Sequence, residues 1–94
     1  MSSYQITPYT FQQAKKIGVF VLPSHNVKFK IDVYSKNKQF ITSCGATGYM
    51  DYGLYLENYT KEYADKRRAL YKKRHQKDRS VVGSRGWFAD KLLW

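Results

Sequence analysis

Val27-Lys28-Phe29-Lys30-Ile31-Asp32-Val33-Tyr34, then Ser35-Lys36-Asn37-Lys38, then Gln39-Phe40-Ile41-Thr42-Ser43-Cys44 is the stretch that decides the fold. Val27, Phe29, Ile31 and Val33 alternate with Lys28, Lys30, Asp32 and Tyr34, the period-two pattern of a strand with one buried and one solvated face. Four turn-forming residues lead into a second run that places Phe40, Thr42 and Cys44 on one face, so the pair reads as an antiparallel hairpin. Upstream, residues 19–22 read as a further strand broken by Pro23. Before them lies a short helix: Thr7 or Thr10 caps it, Pro8 suits a first helical position, and Gly18 stops it. Downstream, Gly45 and Gly48 bracket a loop where the sheet gives way to helices, and Asp51 reads as a cap.

The second half reads as helical. Residues 52–57 form a short helix, and Asn58 or Thr60 opens a longer, basic one over about 60–78. Its stripe, Tyr63, Arg67, Leu70, Tyr71 and Arg74, is thin in aliphatics, and Glu62 can pair with Lys66 one turn on. The segment 87–94 is apolar almost all round. It is expected to close the core, with Trp87, Phe88, Leu93 and Trp94 as candidate docking residues if it instead inserts into a neighbouring subunit. The predicted fold is α+β: a small antiparallel sheet of two or three strands with an N-terminal helix and C-terminal helices, in a single domain over residues 1–94.

Charge narrows the partner class. Seventeen Lys and Arg face seven Asp and Glu, a net +10, yet 17% of the chain is aromatic, too much for a disordered basic tail. Residues 61–79 alone carry a net +6. The candidate polyanion- or partner-binding residues are Lys66, Arg67, Arg68, Lys72, Lys73, Arg74, Lys77 and Arg79, with Arg85 beyond them. On a helix, Lys66, Lys73 and Lys77 run along one flank, and Arg68 and Lys72 form an adjacent row. Such a ridge neutralises phosphates with counterion release and exerts little choice of sequence. The alternative is a solvated helix with the Arg67 and Arg74 stems packed over the core.

Catalysis finds little support. His25 and His75 lie in separate segments, and His75 with Asp78 reads as a surface pair on a helix. Cys44, the sole cysteine, has no disulfide partner in the chain and reads as a small core residue. Asp32, Asp51 and Glu57 match no nuclease spacing for a magnesium site, and the glycines form no phosphate-cradling loop. The chain is therefore expected to be no enzyme, with no cofactor and no metal. Its longest apolar run, residues 17–22, falls far short of the roughly 20 residues that span a bilayer. With no basic-then-apolar opening visible, a protein that is not secreted is expected.

Pro23-Ser24-His25 ahead of Phe29, in the order helix, strands, helix, loosely resembles the double-stranded-RNA-binding domain. Where that family opens its last helix with a lysine pair, this chain has Tyr49-Met50-Asp51-Tyr52 and so lacks the phosphate clamp. A second resemblance covers residues 27 to 94. Its parts are the hairpin, Gly-Ala-x-Gly-Tyr-x-Asp-Tyr from Gly45 to Tyr52, Arg67/Arg68 with Tyr71 and Arg74-His75, and Gly83 through Gly86-Trp87-Phe88 to Leu92-Leu93-Trp94. Together they resemble a family of small basic proteins of giant (nucleocytoplasmic large) double-stranded-DNA viruses. Tyr55-Leu56 replaces a more polar stretch of that family, and Ser84-Arg85 shortens its loop. The resemblance implies an origin and a fold; with no catalytic constellation beside it, the expectation is a non-enzymatic structural protein, a minor capsid or virion-associated module docking on acidic viral surfaces and other virion subunits. It would be found in the virion or the host-cell cytoplasm or nucleus. The alternative expectation is a nucleic-acid-binding protein, for DNA or RNA and largely sequence-independent, using the basic helix at 61–79.

Overall fold

Three antiparallel strands in the order β1-β2-β3 carry the molecule: β1 (Phe20–Pro23), β2 (Phe29–Tyr34) and β3 (Phe40–Ala46). The computed structural model describes residues 3–94. Helix α1 (Pro8–Ile17) precedes the sheet, and α2 (Tyr52–Asn58), α3 (Lys61–Arg74), a 3-10 turn (Asp78–Ser80) and α4 (Arg85–Leu93) follow it. The fold is α+β, with an N-terminal helix, a three-stranded sheet and C-terminal helices. Thr7 caps α1, Pro8 opens it, and Gly18 ends it in the left-handed conformation. β1 stops at Pro23. The proline is the last residue of an edge strand, opposite Ile31, where a missing N–H is tolerated.

The hairpin departs from strict alternation in two ways. Lys30 and Asp32, expected on a solvated face, are only 3% and 1% exposed. Each is buried because it has partners: Lys30 Nζ donates to Asp51 at 2.8 Å, and Asp32 accepts from Ser24 and Ser43 at 2.7 and 2.6 Å. A bulge is the second departure. Val33 pairs with Thr42 and Tyr34 with Phe40, so Ile41 is extra. Phe40 thereby moves to the face of Tyr34, away from Thr42 and Cys44.

Helices α1 and α4 cover the inner face. Ala14, Phe88, Ala89, Leu92 and Leu93 pack with Val21, Ile31, Val33 and Cys44 in one cluster. Fully burying each large apolar side chain there contributes about 1.5–3 kcal/mol. A smaller cluster of Tyr52, Tyr55 and Ala64 joins α2 to α3. α1 also satisfies carbonyls that the end of α4 leaves open: Thr10 Oγ1 donates to Leu92 O at 2.8 Å, and Tyr9 OH to Trp94 O at 3.1 Å. Phe88 and Leu93, at 5% and 1% exposure, therefore belong to the core and offer no docking surface, while Trp87 and Trp94 are half-buried.

Helix α3 ends at Arg74, short of residue 78. The His75 N–H still donates to Tyr71 O, and Arg79 Nε then folds back onto Lys72 O at 3.1 Å. The chain leaves the helix axis because the 3-10 turn packs against α4: a Cβ on Gly86 would lie 2.7 Å from the Asp78 carbonyl oxygen. The buried residue of α3 is Ala64; of the expected stripe, Tyr63, Leu70 and Arg74 are exposed, while Arg67 and Tyr71 are half-buried against Tyr55 and Trp94. Among the described residues no helix is long and apolar enough to cross a membrane.

Candidate functional site

Thr60 caps α3 by accepting from the Tyr63 N–H, and Lys72, Lys73 and Arg74 fill its last turn, where cations suit the helix dipole. The basic side chains of this region then divide into two groups. One group is bound to the molecule itself. Arg68 lies 3.9 Å over the Tyr52 ring and 3.5 Å from Asp65, which also takes Lys61 at 2.9 Å. Lys72 pairs with the buried Asp90 at 2.6 Å, and Arg79 caps Lys72 O. Arg85 donates through Nε to Ser43 O at 2.8 Å and lies 4.5 Å over the Phe29 ring.

The other group faces outward. Lys66, Lys73, Arg74 and Lys77 are exposed, and their side chains make no hydrogen bond or ion pair among the described residues. Lys66 and Lys73 share the flank that helical spacing puts them on, whereas Lys77 stands beyond the helix end. Arg67 belongs to neither group. Its guanidinium lies 5.6 Å over the Tyr55 ring, and its buried Nε–H donates to nothing among the described residues.

The remaining chemistry-bearing residues are spoken for elsewhere. Asp51 caps α2 through the Leu54 N–H, pairs with Lys30, and accepts from Tyr4 OH at 2.6 Å. Burial pushes the Asp32 carboxyl up, but hydrogen bonds from Ser43, His25 and Ser24 outweigh it and hold the group down at about 2. Both the backbone N–H and ring Nδ1 of His25 meet that carboxylate. Glu57 lies exposed on α2, so Asp32, Asp51 and Glu57 do not converge, and among the described residues no three His, Cys, Asp or Glu side chains do. His75 and Asp78 meet at 3.3 Å on the surface. Burial pushes the Cys44 thiol up to about 12, which leaves little thiolate for chemistry.

Sequence reasoning missed one surface. Directly paired strand residues share a face, so Phe20, Tyr34 and Phe40 line up on the outer side of the sheet, with Leu22 beside them. Phe20, Leu22 and Phe40 are 52%, 55% and 51% exposed. The period-two signal is present in β1, but the bulge hides it in β3.

Compared with known proteins, the chain matches no family model, no curated protein and no solved structure.

Proposed function

We propose that this chain is a non-enzymatic polyanion-binding protein that holds nucleic acid on the outward face of α3. The observation that carries this reading is the division of the basic residues. Asp65, Asp78 and Asp90 are already engaged by Lys61 and Arg68, by His75 and by Lys72, and Glu62, exposed one turn before Lys66, forms no ion pair with it. Lys66, Lys73, Arg74 and Lys77 therefore repel one another in the free protein, and a row of phosphates relieves that repulsion. Contacts of this kind fix position and supply affinity without reading bases.

The test is binding to labelled DNA and RNA fragments at low salt. Changing Lys66, Lys73 and Lys77 together to Glu is expected to abolish it. The wild-type dependence of log affinity on log salt is expected to fall by about 0.9 per phosphate contacted on duplex DNA. No affinity in the wild type, or equal affinity in the triple variant, defeats the proposal.

A second reading follows the viral resemblance: a minor capsid or virion-associated protein of a large DNA virus that docks on other virion subunits. The exposed Phe20, Leu22 and Phe40 on the outer sheet face favour it, since clustered apolar surface marks interaction sites. Absence of the chain from purified virions by mass spectrometry would remove this reading.

A further inference from the structure

We infer that a cavity beside α3 binds a nucleoside phosphate, its anionic end on arginines and its planar end on aromatic rings. The inference rests on the nucleic-acid reading for taking the anion to be phosphate. The cavity measures about 680 Å³, within the range of roughly 300–1,000 Å³ typical of small-molecule sites. Arg67, Arg74 and Arg85 line it, and among the described residues no Asp or Glu side chain does.

Each arginine has donors to give. Arg67 lines the cavity, its Nε–H is buried, and its terminal nitrogens make no hydrogen bond among the described residues. Arg74 makes no side-chain hydrogen bond among the described residues, and Arg85 commits only Nε, leaving its terminal nitrogens. Planar guanidinium groups match phosphate oxygens two at a time, and the partly apolar walls strengthen that attraction.

The aromatic half of the lining suits a base. Trp94 stacks on Tyr71 at 4.3 Å and 5°, and Tyr71 stacks on His75 at 4.3 Å, so one wall is a ready-made column of rings. Tyr49, between Gly48 and Met50, also lines the cavity, with 73% of its surface open to a stacking partner. Base–aromatic stacking tolerates any base, in keeping with a ligand chosen by phosphate and ring rather than by hydrogen-bond pattern. The same chemistry is offered by a free nucleotide and by one nucleotide of a single strand.

The experiment titrates the full chain with AMP, adenosine, inorganic phosphate and a glutamate-rich peptide, observed by NMR at the Arg67 Nε–H and Trp94 indole signals. AMP is expected to shift both, and adenosine and phosphate to bind at least about tenfold more weakly, as loss of a charged hydrogen bond or a stacked ring implies. Arg74→Glu, at an exposed position, and Arg67→Met are each expected to weaken AMP by about tenfold or more. A melting temperature for Arg67→Met at or above that of the wild type shows that the loss is not unfolding. Should that variant fail to fold, Arg74→Glu decides alone. Equal responses to AMP and phosphate, a response to the peptide but not to AMP, or unaltered AMP binding by Arg74→Glu overturns the inference. Competition between AMP and a short single strand for the Trp94 signal names the strand as the source; binding of AMP without competition names the free nucleotide. Duplex DNA, whose paired and stacked bases cannot enter the cavity, is titrated in parallel on the wild type: duplex binding without AMP binding, or the reverse, separates failure of the cavity from failure of the outer-face reading.

Discussion

Asp32 is a carboxylate with almost no contact with water, kept ionised by four donors from Ser24, Ser43 and His25. Its folded value of about 2 lies below its ordinary 3.8, so the unfolded chain takes up a proton more readily. The stability this group contributes is complete above about 3.8 and is lost as pH falls through that window toward 2. The amount is on the order of 2 kcal/mol. Urea denaturation followed from pH 5 to pH 2 is expected to show this loss in the wild type and not in Asp32→Asn, which is less stable throughout because it accepts fewer of the donors. Parallel pH profiles for the two proteins would show that Asp32 is not the group responsible. The sequence makes Asp51 legible as a helix cap, because capping is local. Its ion pair with Lys30 is not legible, because the two residues are 21 positions apart and only the folded topology brings them together. The same holds for Arg67: its charge is plain in the sequence, whereas the buried, unaccepted Nε is a property of packing.

Elements with strong local signals were readable to within a residue or two. α1 has its Thr-Pro start and Gly stop, and α2 has its Asp51 cap. α3 is different: residues 72–77 contain good helix formers, so nothing local ends the helix at Arg74. The packing of the 3-10 turn on α4 ends it, and Gly86 is the residue that allows the approach. On an exposed helix, Gly→Ala is stabilising by about 1 kcal/mol. At Gly86 the added Cβ would meet the Asp78 carbonyl oxygen, which is backbone and cannot swing aside. Gly86→Ala is therefore expected to destabilise by about 1–3 kcal/mol, a sign opposite to helix propensity. Thermal denaturation checks it, and a raised melting temperature would mean that the turn and α4 are not held together as described. The bulge at Ile41 was equally hidden, since register is set by how the chain crosses residues 35–39 and not by the alternation of β3.

At the scale of the whole molecule the surplus of +10 has two opposite dependences on salt. The internal pairs Lys30–Asp51 and Lys72–Asp90 are wholly or largely sheltered, so screening touches them little. The outward cations Lys66, Lys73, Arg74 and Lys77 are exposed and unpaired among the described residues, and in a chain of net +10 they add to a repulsion between exposed charges that salt screens. Sodium chloride shortens the Debye length from about 10 Å at 0.1 M toward 3 Å at 1 M and relieves that repulsion. The free protein is thus expected to melt several degrees higher in 0.5 M than in 0.05 M salt, because about 1 kcal/mol shifts a domain of this size by roughly 4–8 °C. Over the same range its affinity for nucleic acid is expected to fall steeply, because salt competes with counterion release. Differential scanning calorimetry and a binding titration in matched buffers measure the two trends together. If the melting temperature falls with salt, attraction among the charges outweighs repulsion, and the outer face of α3 is a stabilised surface rather than one kept open for a polyanion.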